Sequence, residues 1–143
     1  MTSIDFYTHV ADRLEVAARL VAKAFVAHGH VRVLTPDPAT TDALDRALWL
    51  KPPTAFLPHC RVDGRLAAET PIWVDHVAEH PGPAGVLINL QSSPPSFFSR
   101  FERLAEIVGL DDADIAAGRE RYRFYRERGY ELRTHSLTQL SER

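Results

Sequence analysis

Gly85-Val86-Leu87-Ile88-Asn89-Leu90 decides the fold. A nearly continuous apolar run of this length, set off by the turn Pro81-Gly82-Pro83, suits a strand covered on both faces, as in the centre of a parallel sheet. Parallel neighbours need crossover connections, and these are usually helical, so helix-forming segments are expected on either side of the run.

Upstream of this run the expected alternation appears. His30 to Thr35 alternates with Val31 and Val33 on one side, as a strand does. Before it, Leu14, Ala17, Ala18, Val21 and Phe25 recur at three- and four-residue spacing and give a helix one apolar face. Asp12 with Glu15 can cap the start of that helix and Gly29 suits its end. Ile4 to His9 reads as a short first strand. Asp37-Pro38 resembles an N-cap followed by a first-turn proline; the helix it opens turns Leu44, Ala47 and Leu48 inward and is stopped by Lys51-Pro52-Pro53. A polar connection from Gly64 to Thr70 leads to a short strand candidate, Ile72 to Asp75.

Downstream, Phe97, Phe98, Phe101, Leu104, Ala105 and Val108 fit helical spacing, while Ala105 to Val108 could equally extend a sheet. A helix from about Asp112 to Arg128 ends at Gly129, and Tyr130 to His135 alternates enough for a last strand. The expectation is a single-domain, three-layer, Rossmann-like α/β fold over residues 1–135, its sheet mostly parallel with helices on both faces. Residues 136–143 are expected to form a flexible tail. Nucleotide-binding members of such folds carry glycines in the first strand-to-helix turn; here that turn is Thr8-His9-Val10-Ala11-Asp12, without one. With no P-loop either, the chain points away from a cofactor enzyme, and no cofactor is expected.

Composition narrows the function classes further. A length of 143 residues favours one domain, and a formal net charge of −2 predicts no bulk attraction to nucleic acid or anionic membrane, so any electrostatic function must come from local clustering. One cysteine, Cys60, excludes an intrachain disulfide. The N-terminus lacks a basic region followed by an apolar run, and no stretch approaches the roughly 18 apolar residues of a membrane span. A cytoplasmic protein without membrane attachment is the expectation.

Two constellations carry possible chemistry. His59-Cys60 with His76 and His80 suggests a small metal- or thiol-dependent enzyme. Against it, Val77-Ala78-Glu79 leads straight into Pro81-Gly82, so the histidine pair belongs to a strand-to-loop connection rather than a helix face, and neighbours in extended chain point apart. No metal site is expected. The second constellation is a charge cluster: of 17 positive residues 15 are arginine, and six of these lie between Arg119 and Arg133. On a helix Arg119, Tyr122, Arg123 and Arg126 fall along one stripe, with Ile115, Gly118, Tyr122 and Tyr125 on a neighbouring stripe that packs on the sheet. Glu120, Glu127 and Glu131 could merely balance these arginines on a solvated face. Arginine rather than lysine favours recognition of carboxylates, which its planar fork holds at two points. A bare phosphate backbone would need a broader positive groove than one short stripe.

Taken together, three segments resemble the chi subunit family of bacterial DNA polymerase III: Ile4-Asp5-Phe6-Tyr7, the block Asp42 to Trp49 leading into Phe56-Leu57-Pro58-His59, and Arg119 to Arg126 with Gly129-Tyr130. The resemblance implies a Rossmann-like fold without catalysis of its own and two partners. One is the psi subunit, which ties chi to the clamp loader. The other is the acidic C-terminal tail of single-stranded-DNA-binding protein, which ends in a hydrophobic residue and a free carboxylate, so that nucleic acid is met only indirectly. Arg119, Tyr122 and Arg123 match the family's tail-binding positions, with Arg126 one turn on, and Trp49 and Val108 match positions linked to the adjoining apolar pocket. Where some members place a lysine one turn before the first arginine, this chain has Ile115. Phe56, Leu57 and Pro58 are assigned to the psi interface, with plain core packing as the alternative.

Overall fold

The computed structural model describes residues 2–50, 58–61, 70–77 and 85–137. Among these, seven strands, β1 (Ser3–Val10), β2 (Val31–Leu34), β3 (His59–Cys60), β4 (Ile72–Asp75), β5 (Val86–Asn89), β6 (Arg103–Gly109) and β7 (Leu132–Ser136), form one sheet in the order β3-β4-β2-β5-β6-β1-β7. Every neighbouring pair is parallel, which goes beyond the mostly parallel sheet expected. Three helices accompany it: α1 (Arg13–His28), α2 (Pro38–Leu50) and α3 (Asp112–Glu127).

Local chemistry sets the helix ends. Asp12 accepts from the Glu15 amide at 3.1 Å and opens α1, and Gly29, at φ 81°, closes it in the left-handed region with its amide on the Phe25 carbonyl. Asp37 accepts from the Thr40 amide at 2.7 Å ahead of Pro38, and hydrogen bonding from the Thr40 side chain, then from its amide, holds the Asp37 carboxyl below the usual carboxylate range. Leu44 and Leu48 of α2 are fully buried, as the spacing predicts, while Ala47 is half-buried.

Strand alternation then divides the core in two. Val31, Val33, Val86, Ile88, Ala105 and Ile107 face α1 and α2, whereas Leu34, Leu87, Leu104, Val108 and Phe6 face the α3 side with Phe97, Phe98 and Phe101. Full burial of each large aliphatic side chain contributes roughly 1.5–3 kcal/mol relative to exposure, so the central strands carry much of the stabilising burial. The ambiguous segment resolves into two states: a single 3₁₀ turn, Phe98–Arg100, followed by β6. The phenylalanines belong to the turn and the aliphatic residues to the strand, so their combined spacing only imitates a helix. The last strand starts at Leu132, two residues later than expected, and its pairing runs past residue 135, since the Leu137 amide donates to the Thr8 carbonyl at 3.0 Å. Residues 138–143 lie outside the described residues.

One consequence of the strand order positions the site. From β1 the chain passes to α1 on one face, and from the adjacent β6 it passes to α3 on the other. Adjacent strands whose connections leave to opposite faces open a crevice beyond their carboxyl ends, the usual ligand position in open α/β sheets.

Candidate functional site

α3 is built to lie close on the sheet. Asp111 caps it, accepting from the Asp114 amide at 2.7 Å, and Asp112 and Asp114 place negative charge in its first turn. The Asp114 carboxylate accepts from the Gly109 amide at 3.1 Å and lies 3.5 Å from the Arg13 guanidinium, which joins the starts of α3 and α1. At Gly118 an added Cβ would come within 2.8 Å of Val108 Cγ2, so the absence of a side chain lets the helix rest directly on β6.

The inner face of α3 carries a polar network that the sequence reading missed by treating the arginine cluster as one exposed set. Arg121, 3 % exposed, turns inward and donates from Nε to Glu106 at 2.8 Å and from a terminal nitrogen to the Ser92 carbonyl at 3.0 Å. Glu106, fully buried in β6, also accepts from the Tyr125 hydroxyl at 2.5 Å and from Asn89 Nδ2 at 3.0 Å. Burial pushes the Glu106 carboxyl up, and Arg121, Tyr125 and Asn89 pull it partly back. The Tyr125 hydroxyl is also pushed up, first by burial and then by the neighbouring carboxylate. Two signals could have revealed the network: a glutamate inside Leu104-Ala105-Glu106-Ile107-Val108, and an arginine three residues after Gly118 and four before Tyr125 on the packed stripe.

The outer face presents the expected stripe. Arg119, Arg123 and Arg126 are exposed, and Tyr122 is half-buried with its ring edge-on to Phe6 at 5.3 Å. Of the acidic residues that could have balanced the stripe, Glu120 contacts Arg123 at 3.4 Å; among the described residues Arg119 and Arg126 have no ion-pair partner. Arg128, outside the stripe, stacks over Phe124 at 3.5 Å.

Beside the stripe, at the crevice between β1 and β6, lies a cavity of about 390 Å³. Phe6, Val108 and Ile115 give it apolar walls, Arg119 and Tyr122 border it from α3, and Thr8, His9 and Thr134 add polar atoms from β1 and β7. Ile115 makes this wall apolar. The arrangement suits a ligand with one apolar group and neighbouring carboxylates.

Trp49 is not part of this cavity. It sits on α2, which packs against α1 and β4, and its ring lies 4.5 Å from the His59 ring on edge strand β3. β2 and β5 separate β4 from β6, so the expected grouping of Trp49 with Val108 is corrected: proximity in the sheet, not a shared matching motif, decides which residues meet. Trp49 is 53 % exposed beside exposed Pro58, while Phe56 and Leu57 lie outside the described residues. His59 is buried, with Nε2 3.3 Å from an Asp45 oxygen, and half-buried Cys60 follows it in the strand. His76 contacts Asp75 at 3.1 Å just after β4; His80 lies outside the described residues, among which no group of three or more potential ligands could hold a metal ion. No helix among them is long and apolar enough to cross a membrane.

The family model described as "DNA polymerase III chi subunit, HolC" matches residues 1–133. A DNA polymerase III subunit chi from Pseudomonas aeruginosa is 37 % identical over 145 aligned positions, covering 98 % of this chain and all of that protein. The subunit chi of Haemophilus influenzae is 29 % identical, covering 86 % of each chain, and that of Escherichia coli is 25 % identical, covering 84 % of this chain and 82 % of its own. The chain belongs to the DNA polymerase III chi subunit family.

Proposed function

We propose that this chain is a non-catalytic, cytoplasmic adaptor of the DNA polymerase III holoenzyme, which pairs with a psi subunit and holds the acidic C-terminal tail of single-stranded-DNA-binding protein, so that it meets nucleic acid only through that partner. The observation that carries the reading is the cavity at the crevice between β1 and β6, bordered by Arg119 and Tyr122. Its apolar walls suit the hydrophobic last residue of such a tail, and Arg119, Arg123 and Arg126 suit the carboxylates upstream and at its end. A labelled tail peptide titrated with the purified chain is expected to bind in a salt-sensitive way, and binding unchanged by Arg119→Ala would overturn the site.

The psi surface is proposed at Phe56, Leu57 and Pro58, of which Pro58 directly precedes edge strand β3, at the opposite edge of the sheet. Exposed Trp49, with its ring on His59 next to Pro58, belongs with this edge. A large apolar side chain exposed beside an edge strand is a candidate interface anchor. Trp49→Ala is expected to weaken co-purification with psi while leaving tail binding intact; the reverse pattern would return Trp49 to the tail site.

A further inference from the structure

His9 is the one described residue other than glycine with a positive φ, 59°. It stands between Tyr7 and Val10, where the pairing of β1 with β6 loses its regular register. In a regular strand successive side chains point to opposite faces, so with Phe6 and Thr8 toward α3, His9 would face the α1 side. Instead Thr8 and His9 both line the cavity that Arg119 and Tyr122 border. The irregularity therefore redirects one side chain into the candidate site, as bulges beside functional sites do. Left-handed backbone is unfavourable for a side-chain-bearing residue, and histidine tolerates it better than most.

The ring is held from two strands. Nδ1 lies 3.1 Å from Thr8 Oγ1 of its own strand and 3.1 Å from Ser136 Oγ of β7. A neutral imidazole carries its proton on one nitrogen, and the hydrogen bond made by the other fixes which. A hydroxyl can donate to Nδ1, and in that tautomer the proton sits on Nε2, which is then a donor.

We propose that His9 is a further ligand-binding residue of this cavity, its Nε2–H donating to an oxygen of the terminal carboxylate of the bound acidic peptide, which it shares with Arg119. The inference rests on the acidic-tail reading above and adds a ring N–H donor, supplied by β1, to the cations supplied by α3.

The test pairs two proteins with two peptides. His9→Gly adopts the backbone angle without penalty and removes the ring, and His9→Asn, also tolerant of left-handed backbone, serves as a second variant. Both are checked for unchanged thermal unfolding. With a tail peptide ending in a free carboxylate, each variant is expected to bind roughly tenfold more weakly than the parent, the scale of one hydrogen bond to a charged group. With the same peptide ending in an amide, parent and variants should bind alike. Parent binding that Arg119→Ala weakens but both His9 variants leave unchanged would overturn this inference alone. So would an equal loss for both peptides. A parent that binds neither peptide would overturn the acidic-tail reading along with it.

Discussion

Arg121 and Arg119 stand two residues apart on α3 and meet opposite environments. Arg121 is buried against Glu106, Tyr125 and Asn89 and ties the helix to the sheet, while Arg119 is exposed, without an ion-pair partner among the described residues, at the mouth of an apolar cavity. In the first case the guanidinium donates inside the fold, to Glu106 and to the Ser92 carbonyl. In the second the guanidinium's five donors remain available to a ligand. One helix thus uses the same residue type for anchoring and for recognition, and the turn of the helix assigns the roles.

This contrast can be broken by variants whose effects fall in order of size. Arg121→Ala should have the largest effect, a loss of about 3–5 kcal/mol in stability at neutral pH by urea unfolding, because it strands a buried carboxylate. Its pH dependence follows from the sign of the shift. Burial already raises the Glu106 carboxyl, and removing Arg121, which pulls it down, raises it further. A carboxyl with a raised folded pKa contributes stability that is present below the ordinary carboxylate range and lost as pH rises through the folded value. The deficit of Arg121→Ala against the parent should therefore grow from pH 5 to pH 8; a deficit that shrinks over that range would contradict the network's role.

Arg119→Ala should do the opposite, leaving the unfolding midpoint in place and weakening tail-peptide binding by about 1.5–3 kcal/mol, as for a charge-assisted contact. Gly118→Ala comes next. Its Cβ would press on Val108, at a cost of about 1–3 kcal/mol for overpacking, offset by roughly 1 kcal/mol of helix propensity. The net loss should be visible in the thermal midpoint. Arg123→Ala should be smallest, because that side chain is exposed and already contacts Glu120; a binding change of no more than about 1 kcal/mol is expected by fluorescence titration.

The sequence was most informative where a local signal and the final environment coincide. Asp12, Gly29 and Asp37-Pro38 are read from their own chemistry, and each sits where a cap belongs. Val31 and Val33 share a face because a strand has only two. Reading stopped where the deciding contact is distant along the chain. Leu104 to Val108 carries no strand signal stronger than its helical imitation, and it becomes a strand by pairing with β1 and β5. Two-residue β3 is too short for any period and exists by its register with β4. The arginine stripe was legible, but the inward turn of Arg121 depends on Glu106, fifteen residues away on another element. Trp49 shows the limit of resemblance: matching a motif in the chain does not place that motif beside the cavity.

The most direct test of the account is a map of backbone amide shifts on isotopically labelled chain titrated with the acidic tail peptide. The account predicts changes concentrated at Phe6 to His9, Val108 to Leu110 and Ile115 to Arg126, saturating together. Changes centred instead on Trp49, His59 and Trp73, with the α3 amides unmoved, would contradict it.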